Sequence, residues 1–246
     1  MQTNSVIMRT LLSARTLLKP WLNPGIVRMN SYAVPISFKD IEIPERKKLK
    51  VCPKVPIYPH GVHNFRMQKR LKLMRGPELH HNTLLYKQYG IVARGGGRLK
   101  HCHYEVIRYT LLRTVYKYHK DVFAIWRVPE PWQPITKKSH GMRMGRGKGG
   151  INHYATPVKS GQILVEVGGP FEFFEVKKFL KDIANKMPFA AEAVSQEMME
   201  KAELEKRRIK EESLNPWVWK YIIQNNMLGC HKWISKYDKK WFMEYL

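Results

Sequence analysis

Apolar and polar positions fall along the chain in blocks that predict a mixture of strands and helices. From Leu84 to Val92 the run Leu-Leu-Tyr-Lys-Gln-Tyr-Gly-Ile-Val is rich in strand formers and ends at the turn Arg94-Gly95-Gly96-Gly97-Arg98. Residues 100–119 switch to three/four spacing, which predicts a helix. Val106, Ile107, Thr110, Leu111, Thr114, Val115 and Tyr118 share one face, and Lys100, Arg108, Arg113 and Lys117 make the other surface basic. Val122 to Val128 is an apolar run of strand length, stopped by Pro129, Pro131 and Pro134. Gln162 to Val167 is another, closed by Gly168-Gly169-Pro170. Residues 171–187 predict a second helix with Val176, Phe179, Leu180, Ile183 and Met187 towards a core and Pro188 ending it. No strand–helix–strand period repeats, so the expected class is α+β: a compact mixed sheet packed with two helices. No stretch approaches about eighteen uncharged apolar residues, the length of a membrane-spanning helix.

Beyond Pro188 the pattern changes. Residues 190–213 are rich in Ala, Glu, Lys, Met and Arg, with Glu192, Glu197, Glu200, Glu203 and Glu205 ahead of Lys206-Arg207-Arg208, and predict a solvated connecting helix. After Pro216 aromatics crowd the chain. Trp217, Trp219, Trp233 and Trp241, with the lysines among them, suit a docking surface for a neighbouring protein or for RNA bases, and the near-neutral charge of the last third favours protein contacts there.

Charge separates the chain into two parts. The 246 residues carry a net +24. Residues 1–165 hold 30 basic and 7 acidic side chains, a net of +23, whereas residues 166–246 hold 14 and 13, a net of +1. Self-repulsion on the first scale opposes folding unless a polyanion relieves it, which points to nucleic acid. Three widely spaced cysteines, Cys52, Cys102 and Cys230, do not make a disulfide framework and fit a reducing compartment.

The start of the chain has its own composition. Arg9, Arg15, Lys19, Arg28 and Lys39 precede any acid, and Ser5, Thr10, Ser13 and Thr16 are interleaved with leucines. That is the composition of a mitochondrial transit peptide, expected over 1–33. Residues 34–65 follow as an extended arm. Pro35, Pro44, Pro53, Pro56 and Pro59 oppose a helix or central strand there, among Arg46, Lys47, Lys48, Lys50 and Lys54. Such an arm can lie along phosphates or serve as a plain linker.

Residues 131–165 contain no acidic side chain but include Lys137, Lys138, Arg143, Arg146 and Lys148. Gly141, Gly145, Gly147, Gly149 and Gly150 alternate with those cations, giving a slim, flexible loop that can approach phosphates closely. Gly145, Gly147 and Gly150 match dinucleotide-binding spacing, yet no strand leads into them and Ile151 to Pro157 is a poor helix start. A Walker loop fails as well, since Met142 replaces its first glycine and Gly149 its hydroxyl residue. His101-Cys102-His103 lacks the spacing of a zinc site. With 7 acids before residue 166, neither a triad nor a carboxylate pair assembles. No enzyme, cofactor or metal is expected.

The segment Pro134-Ile135-Thr136-Lys137-Lys138, followed by Met142-Arg143-Met144-Gly145-Arg146-Gly147-Lys148-Gly149, closely resembles the signature of the bacterial and organellar ribosomal protein L-sixteen family. Gly97-Arg98-Leu99 before a basic helix, Gly168-Gly169-Pro170 before the second helix and Lys186-Met187-Pro188 after it fit the same pattern, over roughly residues 66–190. The resemblance implies a 66–190 domain that binds large-subunit ribosomal RNA near the peptidyl-transferase centre and the aminoacyl-tRNA site. Its basic loop would reach towards tRNA through Arg143, Arg146 and Lys148, with Arg143 at a position that some bacterial members hydroxylate. Arg94, Arg98, Lys100, Arg108, Lys137 and Lys138 complete the expected RNA-binding set. The amino-terminal segment and the 191–246 extension depart from the family and suit a member from the mitochondrial matrix. The extension would contact neighbouring mitoribosomal proteins, and no homo-oligomer is expected. The competing readings are an RNA-processing or RNA-modifying enzyme and a nucleoid DNA-binding protein.

Overall fold

The computed structural model describes residues 38, 41–62, 71–118 and 121–245. All belong to the second of two units, Phe38–Leu246. The transit peptide expected at 1–33 lies outside the described residues, as does 66–70 at the start of the expected domain. Strands β1 (Tyr89–Ala93) and β2 (Gly97–Lys100) lead into helix α1 (His101–Tyr118). Strands β3 (Phe123–Trp126), β4 (Gln133–Thr136), β5 (Ile151–Val158) and β6 (Ile163–Gly168) precede α2 (Phe173–Asn185). Then come β7 (Ala191–Ser195), α3 (Gln196–Glu212), α4 (Trp219–Gln224) and α5 (Lys236–Trp241).

The class is α+β, as expected. The strands, however, form two antiparallel sheets rather than one mixed sheet: β3-β6-β1-β7 and β2-β5-β4. β6 is central to the larger sheet and buried along its whole length, so its residues read as a nearly continuous apolar run. On α1, Tyr104, Ile107, Leu111 and Val115 recur every three or four residues and are at most 2% exposed. They share one core with Val176, Leu180 and Ile183 of α2, with Ile91 and Val165 of the larger sheet, and with Leu99 and Val158 of the smaller. Each fully buried aliphatic side chain here contributes about 1.5–3 kcal/mol.

Three elements depart from the expectations. β7 occupies the first residues of the segment read as helix. Ala-Glu-Ala-Val-Ser has little intrinsic strand preference, but it pairs residue for residue with β1, from Tyr89 opposite Ser195 to Ala93 opposite Ala191. β4 and β5 make a hairpin where an irregular segment was expected. Pro134 is tolerated because β4 is an outer strand.

The third departure is the basic arm, whose middle is built into the fold. Leu49 and Cys52 are buried in the main core. The carbonyl of Lys47 accepts from the Ala124 amide (2.9 Å) and the Tyr116 hydroxyl (2.8 Å). The carbonyl of Lys50 accepts from the Trp126 indole at 2.8 Å. A proline-rich segment is short of N–H donors, and it binds here through its acceptors. Lys47 and Lys50 pair with Asp121 (2.9 Å) and Glu130 (3.0 Å). Burial, reinforced by Glu130, pushes the Cys52 thiol up to about 11, so it packs as a neutral side chain.

Glu166 is the one acid in the core strand and is fully buried. It accepts from the amides of Leu85 (3.1 Å) and Tyr86 (2.5 Å), with the Arg127 Nε at 3.8 Å. These contacts hold the approach to β1 against β6. Glu166→Leu is expected to cost about 3–5 kcal/mol, because it strands buried donors and a cation. Urea unfolding measures this, and a loss below about 1 kcal/mol would contradict the assignment.

Candidate nucleic-acid interface

The glycine-rich loop is the turn of the β4–β5 hairpin. Gln133 pairs with Ala155, Pro134 with Tyr154 and Ile135 with His153, which gives the loop a stiff base. At its neck the Lys137 amide donates to the Gly150 carbonyl at 3.1 Å. A Cβ on Gly149 would lie 2.5 Å from the Lys137 carbonyl oxygen, so only glycine allows this approach. Nearer the tip, Gly145 and Gly147 take φ of +90° and +69°, which L side chains rarely adopt. Residues 141–148, including Arg143, Arg146 and Lys148, are all exposed, and Met144 is 93% exposed. A cleft of about 450 Å³ beside the neck is lined by Lys137, Lys138, Ser139, His140, Gly150, Ile151 and Asn152, without an acid.

A second basic group sits on the smaller sheet. Arg98 lies opposite Pro157 and Lys100 opposite Ala155, while His153 is two residues before Ala155. Alternation along strands therefore puts Arg98, Lys100 and His153 on one face and the core residues Leu99 and Val158 on the other. The Nε of Arg98 and the Nε2 of His153 are buried and have no hydrogen-bond partner among the described residues. Nearby, His103 accepts the Lys100 amide through Nδ1 at 2.9 Å, which leaves its proton on Nε2. The first turn of α1 carries no acid, so its positive dipole end adds to the field of Lys100.

The remaining expected residues are placed differently. Arg94 donates through Nε (2.7 Å) and Nη2 (2.6 Å) to Glu192 and so fastens the end of β1 to β7. Arg108 donates to Glu105 at 2.8 Å and lies over the Tyr109 ring at 4.6 Å. Neither joins the loop group. Trp217, Trp219 and Trp233 are exposed, but Trp241 turns inward over Gly76, where an added Cβ would lie 2.7 Å from its Nε1. Trp241 is thus partly buried and packed on the fold, unlike the other three. The sequence offered these histidines as surface or RNA-facing residues rather than metal ligands; His103 reaches Lys100 locally, three residues on, whereas only strand register brings His153 beside it. No cluster able to hold a metal occurs among the described residues, and none of their helices is long and apolar enough to cross a membrane.

Residues 60–194, from before β1 to within β7, match the family model of ribosomal protein L16p/L10e. The chain belongs to this family. It is similar to the Large ribosomal subunit protein uL16 of Sulfurihydrogenibium sp. (strain YO3AOP1), with 33% identity over 120 residues that cover 49% of this chain and 83% of that one. It is also similar to the protein of the same name from Blochmanniella pennsylvanica (strain BPEN), 35% identical over 95 residues, 39% of this chain and 67% of that one. As an L16p/L10e member the chain is a structural, non-enzymatic component of the large ribosomal subunit. The reading as an RNA-processing enzyme is set aside.

Burial first, then the charge of Lys100, holds the His103 and His153 imidazoles below their ordinary value of 6.5. The unfolded chain therefore takes up these protons before the folded one does. Folding stability from this source is complete above pH 6.5 and is lost as the pH falls from there towards the lower folded values. Urea unfolding at about pH 5.5 and about pH 7.5 tests it. The acid-side loss is expected to shrink in His103→Gln/His153→Gln, and an unchanged loss would contradict it.

Proposed function

We propose that this L16p/L10e member binds large-subunit ribosomal RNA through the β4–β5 loop and the adjoining Arg98–Lys100 face of the smaller sheet. The observation that carries this reading is the loop: an exposed, acid-free run of cations and glycines on a rigid hairpin. Arg143, Arg146 and Lys148 meet phosphates near its tip, and Lys137 and Lys138 do so at its neck. The glycines keep the backbone thin enough for close approach, and the paired strands fix where the cations stand. Arg94 and Arg108 are supporting residues, because acids of the fold already hold them.

By likeness to the family, the loop lies near the aminoacyl-tRNA site and the peptidyl-transferase centre. It supports tRNA accommodation, and bond formation is left to the RNA. The acid-free amino terminus supports a place in mitochondrial large subunits of the matrix, serving mitochondrial translation.

The full-length chain is expected to co-sediment with the mitochondrial large subunit after a salt wash, and recovery only in free fractions would refute the reading. Arg143→Ala/Arg146→Ala/Lys148→Ala is expected to weaken binding to large-subunit RNA and to reduce the salt slope of log affinity by about 2–3. An unaltered slope would remove the loop from the interface.

A further inference from the structure

Beyond the matched residues the chain continues into a small aromatic unit that family membership does not explain. It packs a core of Ile223, Cys230 and Ile234, with Phe242 and Met243 against it. Trp241 over Gly76 and Asp238 at 3.9 Å from Arg75 dock this unit on the fold. The other large rings stay outside: Trp217, Trp219, Tyr221 and Trp233 are 59, 52, 46 and 65% exposed. Trp217 and Tyr221 meet edge-on at 5.9 Å and form one aromatic step.

Charge distinguishes the candidates for covering these rings. The near-neutral balance of residues 166–246 is an average. Helix α3 holds 5 basic and 6 acidic side chains, whereas residues 213–246 hold 5 lysines and 2 acids, a net of +3. Of those acids, Asp238 is engaged by Ser235 and faces Arg75. Exposed Lys220 stands between Trp219 and Tyr221, and exposed Lys232 is next to Trp233. An apolar protein face would desolvate these ammonium groups, and protein interfaces are depleted in lysine for that reason. Unpaired nucleotides offer flat bases to the rings and phosphates to the lysines.

We propose that residues 217–233 form a second RNA-binding element that takes unpaired bases on Trp217, Trp219 and Trp233 while Lys220 and Lys232 meet the phosphates. Of the two occupants the sequence left open, this takes RNA bases over the protein that the averaged charge favoured, and it rests on the reading of the chain as a ribosomal RNA-binding protein. The element is distinct from the β4–β5 loop, since it reads single strands by stacking whereas the loop meets phosphates through guanidinium and ammonium groups.

The test titrates full-length protein with a labelled, unstructured oligopyrimidine RNA and, separately, with an RNA hairpin duplex. Trp217→Ala/Trp219→Ala/Trp233→Ala is expected to bind the oligopyrimidine about tenfold or more weakly, with duplex binding unchanged. Phenylalanine at the same three positions is expected to restore most of the affinity, which separates stacking from misfolding. Equal oligopyrimidine affinity in wild type and the alanine variant overturns the proposal. So does an equal loss on both RNAs that phenylalanine does not restore. Retention of a ribosomal protein by the wild type but not by the alanine variant, at unchanged RNA affinity, overturns it in favour of a protein interface. The loop variant Arg143→Ala/Arg146→Ala/Lys148→Ala, run on the duplex alongside, reports on the first interface, so the two readings fail separately.

Discussion

The constraint on which the rest depends is how few acids the first two-thirds of the chain can set against its cations. There are 7 for 30 basic side chains, and the fold uses several of them to hold itself together. Asp121 and Glu130 fasten Lys47 and Lys50 of the arm, and Glu105 holds Arg108 on α1. Glu166, just past that region, binds two backbone amides in the core and faces Arg127. None of these acids lies between residues 131 and 165. The cations of the β4–β5 loop therefore stand on a stretch with no acid of its own, where repulsion is tolerable because the loop is exposed and extended.

Stiffness and slimness are separated along that hairpin. Its base is a paired ladder, and its neck is closed by a backbone hydrogen bond under a glycine that no other residue can replace without displacing Lys137. Beyond the neck the chain has no core to build, and its glycines and cations face outward. A rigid stalk limits the entropy lost when the tip docks, while the thin tip lets backbone and side chains both approach phosphates. The smaller sheet that carries the stalk also presents Arg98 and Lys100. The two basic groups therefore share one structural support.

Much of this was legible in local pattern. α1 and α2 follow from three/four spacing, β3 and β6 from apolar runs bounded by proline and glycine, and the loop from the alternation of glycine with cations. What escaped depends on long-range pairing. β7 is an alanine-rich pentapeptide made a strand by β1. β4 contains a proline that only an outer strand allows, and the arm joins the core through just two side chains among its described residues, Leu49 and Cys52, and through carbonyl groups, which leave no trace in side-chain pattern. His153 became part of the basic face only once the register set it beside Lys100. The aromatic tail was ambiguous for a different reason. Its charge was averaged with that of a balanced helix, and Trp241 could not be told from its outward-facing neighbours until it was seen packed on Gly76.

The account stands or falls on what the loop tip touches in an assembled subunit. Met144, at the exposed tip, can be replaced by a photo-cross-linking amino acid without disturbing any buried contact. Irradiation of subunits that carry this chain is expected to link the tip to large-subunit RNA or to tRNA. Cross-links to protein alone, in subunits that have incorporated the chain, would contradict the central claim.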